Sequence, residues 1–407
     1  MIRTNRFFGG VLLVAGTSIG AGMLALPVTT GFGGFFPSLG VLAILWLFML
    51  ITALLFLEVN LFMEGEVNLV TMAKRTLGMW GKVLSWVTYL LLLYSLTAAY
   101  IAGSSPLFVD FVKSIFHFTM PHWIAPFPLL ILFGIIVYLG TKSVDYLNRI
   151  LMIGLVLAYI LLVCFLPVNV QFNLLKHVDM RAAIIGIPVV ITSFGFHIII
   201  PTLTTYMNHE PSRLRWCVIV GSIIPFLVYL LWEFLILGIV PLWGENGLIQ
   251  AFKDGSSATI PLSHILNNPW ISVGAHLFSF FAIITSFLGV SISLSDFLTD
   301  GLKLKRTGGG RLIACLLTFI PPLIFVLVYQ HGFILALQYA GAFVAILLGF
   351  LPAAMAWTLP KPSYWRTFFG RCLLVTIILI SIFVVVMDFV EEGGGLKKLT
   401  EIYTQKQ

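Results

Sequence analysis

The first apolar run of the chain is interrupted in its middle. From Gly16 to Leu26 it reads GTSIGAGMLAL, with Gly16, Gly20 and Gly22 where a bilayer-crossing helix would reach the midplane, and Pro27 closes the segment. Glycine costs roughly 1 kcal/mol against alanine inside a helix, so the run is built to unwind. In hydrocarbon, unwound backbone persists only where protein or a water-filled cavity covers its N–H and C=O groups. A break of this kind implies a solute cavity at membrane depth, with half-helix ends turned toward a small ionic ligand.

Composition makes the membrane the solvent. Of 407 residues, 59% are hydrophobic and 10% charged, and the mean hydropathy is +1.05. No soluble domain hides that much apolar surface. The net charge of +7 is scattered through short loops and reads as topology signal, so no nucleic-acid partner is expected. Cys164, Cys217, Cys315 and Cys372 stand singly in apolar stretches, without metal spacing or a disulfide framework. Arg3 and Arg6 before an apolar stretch imitate a secretory signal. Cleavage is not expected, because it would discard the most specialised segment in the chain.

Apolar runs of spanning length predict eleven helices, near 8–29, 36–58, 83–103, 124–140, 150–167, 183–206, 216–241, 271–294, 312–328, 333–357 and 371–388. The fold class expected is an all-α integral membrane protein, a single unit over 1–407. Lys and Arg cluster in alternate loops, among them Lys74, Arg75, Lys142, Arg149, Arg213, Arg215, Lys303, Lys305, Arg306 and Arg311. The positive-inside rule then puts the N-terminus in the cytoplasm and, for an odd number of spans, the C-terminus outside. The tail lysines Lys397, Lys398 and Lys406 run against that trend.

Helix 1 contains Thr17-Ser18-Ile19-Gly20 and then Pro27. Helix 6 contains Thr192-Ser193-Phe194-Gly195 and then Pro201. Five helices separate the two pieces, an odd number, so the halves that carry them run in opposite directions. The pattern is that of a 5+5 inverted repeat, about 8–167 against 183–357, with the helix at 371–388 appended.

Each break offers one kind of charge. The half-helix after Gly20, Ala21 and Gly22 presents free N–H groups and a positive dipole end, which suit a carboxylate. The half-helix ending near Ser193 to Gly195 presents carbonyls, which suit an ammonium. Together they make a site for a zwitterion, an amino acid; the alternative is that these glycines only permit close helix packing. Phe194 and Phe196 flank Gly195, placed to stack on an apolar or aromatic side chain or to gate it. His197 at membrane depth is either a proton carrier, a substrate hydrogen-bonder, or a neutral ring bonding a freed carbonyl. Glu233, inside helix 7 with no basic neighbour in sequence, is either a proton carrier or a packing group. Thr285 and Ser286 in helix 8, with Ser291 and Ser293 beyond, either complete a sodium site or bond back to their own helix. His276 reads as structural, Glu58 as reaching the interface, and Asp296 as meeting Lys303 or Lys305. No metal-protease motif, phosphate loop or nucleophile elbow occurs, and no cofactor is called for.

Three stretches in order, Gly16 to Pro27 (GTSIGAGMLALP), Thr192 to Pro201 (TSFGFHIIIP) and Thr285 to Gly301 (TSFLGVSISLSDFLTDG), resemble the hydroxy and aromatic amino acid permease family, nearest its tyrosine- and tryptophan-specific members. The resemblance covers essentially the whole chain. It implies a LeuT-type fold with helices 1 and 6 broken, and proton-driven uptake of aromatic amino acids across a bacterial cytoplasmic (inner) membrane. It assigns the substrate carboxylate to Ser18 and Gly20 to Gly22, and the amino group to Ser193 and Gly195. Some proton-coupled members of the wider superfamily carry a lysine on helix 5, whereas Ile150 to Pro167 contains none.

The expectation is a secondary transporter, not an enzyme, that imports an aromatic amino acid, foremost tyrosine, with protons. Tryptophan or hydroxy amino acid transport, with sodium as the coupling ion, is the alternative within transport. A membrane-embedded enzyme using His197 and Glu233, or an amino-acid sensor, is the alternative outside it.

Overall fold

Glycine and proline set the architecture by deciding where helices stop. In the computed structural model, which describes residues 2–63, 65, 67–118, 120–121, 123–329, 331–359 and 364–392, the first apolar run forms α1 (Ile2–Ser18) and α2 (Gly22–Thr30). The two are bent by 54° across Ile19 to Ala21. There follow α3 (Phe35–Phe62), α4 (Leu69–Phe116), α5 (Phe127–Leu139) and α6 (Thr141–Phe165). The sixth run divides into α7 (Ile187–Ser193) and α8 (Ile200–Tyr206), joined by a 3₁₀ turn over Phe196–Ile199. The chain continues with α9 (Pro211–Ile239), α10 (Leu248–Lys253), α11 (Thr259–Leu266), α12 (Pro269–Gly301) and α13 (Gly309–Val328). A π-helical turn, Ala345–Phe350, joins α14 (Gly332–Val344) to α15 (Leu351–Trp357), and α16 (Phe368–Glu392) ends the described residues.

Nine of these stretches are long and apolar enough to cross a membrane, and the bent pair α1–α2 makes ten. The predicted fourth span is occupied by α5, whose 13 residues reach only about 20 Å at 1.5 Å per residue. Counting α5 in its place gives spans 1 to 11. The bounds of spans 3, 5 and 8 differ most from expectation, and span 5 starts at Thr141, nine residues before 150. Span 3 runs well past 83–103 in both directions, because a less apolar segment, Leu69 to Leu77, precedes a non-helical Gly78 (φ 71°, ψ −151°). Span 8 continues to Gly301, and the ion pair there joins Asp300 to Arg306 at 2.8 Å; Asp296 faces Arg306 and Arg311 at longer range instead of Lys303 or Lys305. Between spans 7 and 8, where only a loop was expected, stand α10 and α11. The tail lysines Lys397, Lys398 and Lys406 lie outside the described residues.

Two of the main packing pairs are related by an exchange of spans 1–5 with spans 6–10. Span 3 lies along span 10 as span 8 lies along span 5; span 1 packs on span 7 as span 6 packs on span 2. Spans 6 and 10 are the most buried, while spans 5, 9 and 11 turn Ile153, Leu157, Ile324 and Leu379 outward, as lipid contact requires. Trp46 of span 2 stacks on Phe226 of span 7 (centroids 4.8 Å apart) and donates from Nε1 to Ser222 O at 3.1 Å. At one end of this seam Glu58 does not simply reach the interface. Its carboxylate accepts from Arg215 at 2.7 Å and from Trp365 Nε1 at 3.0 Å, pinning the start of span 7 to the end of span 2. Pro225, inside α9, removes one backbone hydrogen bond between that pin and the middle of the span.

Gly34, with φ 82°, starts α3 where a Cβ would collide with His177 O. Only glycine meets both demands at no cost. Gly34→Ala is expected to destabilise the protein by about 1–3 kcal/mol, read as a lower melting temperature in detergent beside the unchanged Gly40→Ala control, whose Cβ meets nothing within 4 Å.

Candidate functional site

The two breaks meet at one side chain. Ser18 is the last residue of α1 and Ser193 the last of α7, so both present carbonyls at negative half-helix ends. The Tyr229 hydroxyl of span 7, wholly buried, donates toward Ser18 O at 2.6 Å and Ser193 O at 3.0 Å. A phenol carries one proton. The two carbonyl oxygens therefore share the single phenolic hydrogen, while the Ser18 hydroxyl, buried and without a partner among the described residues, donates to neither. The cluster is short of donors, which is the condition a cationic ammonium relieves.

The facing edge has the opposite need. Ala21 N–H donates to Ser286 Oγ of span 8 at 3.0 Å, and Tyr100 of span 3 stands within interaction distance of both Ser286 and Tyr229. Neither the Gly20 nor the Gly22 amide has a hydrogen-bond partner among the described residues. These are donors at a positive half-helix end. The approach is close: a Cβ on Gly22 would sit 2.8 Å from Ser193 Oγ, and one on Gly20 would strike Ser286 Oγ, so an added side chain displaces one of these hydroxyls. Gly20, Gly22, Gly195 and Ser286 are part-exposed at mid-span, and Thr17, Gly289 and Ser293 are exposed beside α1 and span 8.

The structure thus brings Ser18, Gly20, Ala21, Gly22, Ser193 and Ser286 together and separates others from them. The carbonyls on either side of Ser193 are not free, contrary to the expectation from sequence, but used locally: Thr192 O accepts from Gly195 N at 3.1 Å and Phe194 O from Phe196 N at 2.9 Å. Phe194 is buried with its ring 5.2 Å from that of Tyr229, at the edge of the cluster. Phe196 packs instead on His197, at 5.2 Å. His197 is wholly buried and turned to span 2, with Nε2 2.9 Å from Thr52 Oγ1 and its ring 6.5 Å from Phe56. Thr52 donates to Met49 O at 3.1 Å, so an Nε2–H tautomer completes the pair and leaves Nδ1 without a partner among the described residues. Thr285 takes the bond back to its own helix, at 2.7 Å to Phe281 O. His276 lies 3.8 Å from Asp110. That pair belongs to a groove of about 1090 Å³ with Leu107, Ser272 and Phe280, remote from every predicted site residue.

Glu233 sits one turn beyond Tyr229 on span 7, 1% exposed. Both its oxygens lie 2.9 Å from Thr30 Oγ1, and the same hydroxyl is 2.8 Å from Leu26 O. Thr30 also has one proton to give. If it goes to Leu26 O, the bond to Glu233 needs a proton on the carboxyl; if it goes to a carboxylate, Leu26 O loses it. Tyr229, Tyr100 and Thr30 were missed by sequence reasoning. The available signal was Tyr229 four residues before Glu233, on the same helical face.

Residues 3–388 match the Tryptophan/tyrosine permease family. The chain belongs to that family. The permease is 33% identical to Tyrosine-specific transport system 1 of Haemophilus influenzae, over 96% of this chain and 98% of that one. It is 29% identical to the Tryptophan-specific transport protein of the same organism, over 98% and 99%. Among solved structures it resembles the Eremococcus coleocola manganese transporter, with a TM-score of 0.62 at 14% identity, covering 98% of the permease and 90% of that chain. At that identity the likeness shows the fold alone, that of a membrane transporter. The permease is a multi-pass membrane protein of an amino-acid transport family, and not an enzyme.

Proposed function

We propose that the permease imports aromatic amino acids, tyrosine foremost, across the bacterial cytoplasmic membrane by symport with protons. The observation that carries the reading is the donor-poor cluster of Ser18 O, Ser193 O and Tyr229 Oη opposite the unpartnered amides of Gly20 and Gly22. An α-amino acid carries an ammonium for the first edge and a carboxylate for the second. Phe194 borders the same cluster and supplies an aromatic wall, and a relative covering nearly the whole chain is described as tyrosine-specific. His197 and Phe196 then act from behind that wall, through span 2. The tight repeat-to-repeat packing supports one transport unit over 1–407, with repeats about 8–167 and 183–357 and span 11 appended. The distribution of Lys and Arg supports a cytoplasmic N-terminus.

Protons are favoured over sodium by the Glu233 and Thr30 side chains, which form a buried cluster that one added proton completes. Purified permease in proteoliposomes, in sodium-free buffer with an inward pH gradient, should accumulate labelled tyrosine and stop when a protonophore is added. Uptake that demands sodium and ignores the gradient would move the coupling site to Thr285 and Ser286. Competition by unlabelled amino acids decides the substrate; stronger inhibition by tryptophan than by tyrosine would replace tyrosine as the substrate.

Phe194→Ala is expected to weaken aromatic substrates about tenfold, and small amino acids by much less, because the ring contact and its buried area are lost only to the former. Apparent affinities from competition curves check this. Equal losses for both classes would place Phe194 outside the side-chain pocket.

A further inference from the structure

Span 7 holds both donor-poor clusters on one face. Tyr229 reaches the ends of α1 and α7, and Glu233, one turn on, reaches Thr30 at the end of α2. The two halves of the broken first span are thus gripped by the same turn of one helix, each through a hydroxyl with one proton and two claimants. An ammonium at Ser18 O and Ser193 O releases the Tyr229 proton from its double duty. A proton on Glu233 releases the Thr30 hydroxyl to Leu26 O.

We propose that Tyr229 and Glu233 act as a coupled pair in which Tyr229 is the positioning residue that transmits substrate occupancy to the proton site. The inference rests on the amino-acid and proton reading above. Loading either cluster changes how firmly span 7 holds one half of span 1, and the break between the halves makes the other half respond. Thermodynamic reciprocity follows: whatever factor the proton contributes to substrate affinity, substrate contributes to proton affinity.

Among the described residues, other charged and titratable groups stand on the elements packed against span 7: Arg6 of α1 reaches Tyr206 O at 3.5 Å, and His264 of α11 is exposed. On the connection packed against span 7, Lys176 bonds Asn173 at 2.9 Å, His177 Nε2 meets Phe32 O at 3.0 Å, and Asp179 accepts the Arg181 and Ala182 amides. Asp254, after α10, accepts from Gln250. The charged residue of span 2, Glu58, is engaged with Arg215 and Trp365 at the far end of the helix. α2 carries no ionisable side chain.

The test is the pH dependence of substrate affinity in exchange, measured in proteoliposomes with equal pH on both sides. In the wild type, affinity should rise about tenfold or more from alkaline to acidic pH, within the range typical of linked sites. Glu233→Gln should flatten that slope. Tyr229→Phe should flatten it to the same degree, and the double variant should add nothing further. Thr30→Val, which removes the hydroxyl that ties Glu233 to α2 and leaves both members in place, should do likewise and serves if Tyr229→Phe does not reach the membrane folded. A Tyr229→Phe protein that loses affinity by one constant factor at every pH, keeping the wild-type slope, would make Tyr229 a substrate contact only and overturn the coupling. So would a Tyr229→Phe protein with wild-type affinity and slope. A wild type without any slope would refute the proton reading itself, and is thereby told apart from failure of the pair.

Discussion

Replacing Glu233 with glutamine is expected to abolish accumulation of substrate under an imposed proton gradient while exchange of internal for external substrate continues. Glutamine keeps the volume and a hydrogen-bond partner for Thr30 but cannot take up or release a proton. One charge moved across 100 mV is worth about 2.3 kcal/mol, enough for roughly fifty-fold accumulation per proton, and this is the whole effect at stake. Exchange needs only the two breaks, and the Glu233 carboxyl bonds Thr30 rather than either of them. Labelled uptake and counterflow on one preparation separate the two activities. Full accumulation by the glutamine variant would remove Glu233 from the coupling path.

Gly22→Leu is expected to cost about ten- to a hundredfold in substrate affinity with the protein still inserted. The overlap with Ser193 Oγ begins at the first added carbon, 2.8 Å away, and a leucine adds three more carbons beside the two half-helix ends. Overpacking of this kind typically costs 1–3 kcal/mol, and here it pushes apart the two half-helix ends on which both poles of the site depend. Gly40→Leu on span 2 is the control, since a Cβ there meets nothing within 4 Å. Binding by scintillation proximity and yield of folded protein in detergent give the comparison. Unchanged affinity in Gly22→Leu would show that the breaks do not hold the substrate.

The breaks themselves were legible because their cause is local. Glycine, serine and proline interrupt apolar runs wherever they fall, and the T-S-x-G pieces at Thr17 and Thr192 mark both. What bridges them was not legible. Tyr229 is 211 residues from Ser18 and 36 from Ser193, and no periodicity within a span records which neighbour another span brings to it. The direction of His197 was hidden for a related reason: in an unwound stretch, side chains follow no helical period, so its turn toward Thr52 had no trace in the sequence. For Thr285 and Ser286 a trace existed. Adjacent residues on a helix point about 100° apart, so only one of the two can face the break, and it is Ser286. The extra length of span 3 escaped because its part before Gly78 is amphipathic rather than apolar.

The pin at Glu58, Arg215 and Trp365 and the missing backbone bond at Pro225 together make span 7 a lever. Its base is held by the bond from Arg215 to the Glu58 carboxylate, which Trp365 in turn holds in place. Its compliant point lies between that base and the turn that carries Tyr229 and Glu233. Glu233 is eight residues past Pro225, an arm of about 12 Å, so a tilt of about 10° at the proline displaces the carboxyl by about 2 Å. That is enough to break its bonds to Thr30 without moving the fulcrum's foundation, and a small rotation at one proline becomes the stroke that opens or closes a hydrogen bond.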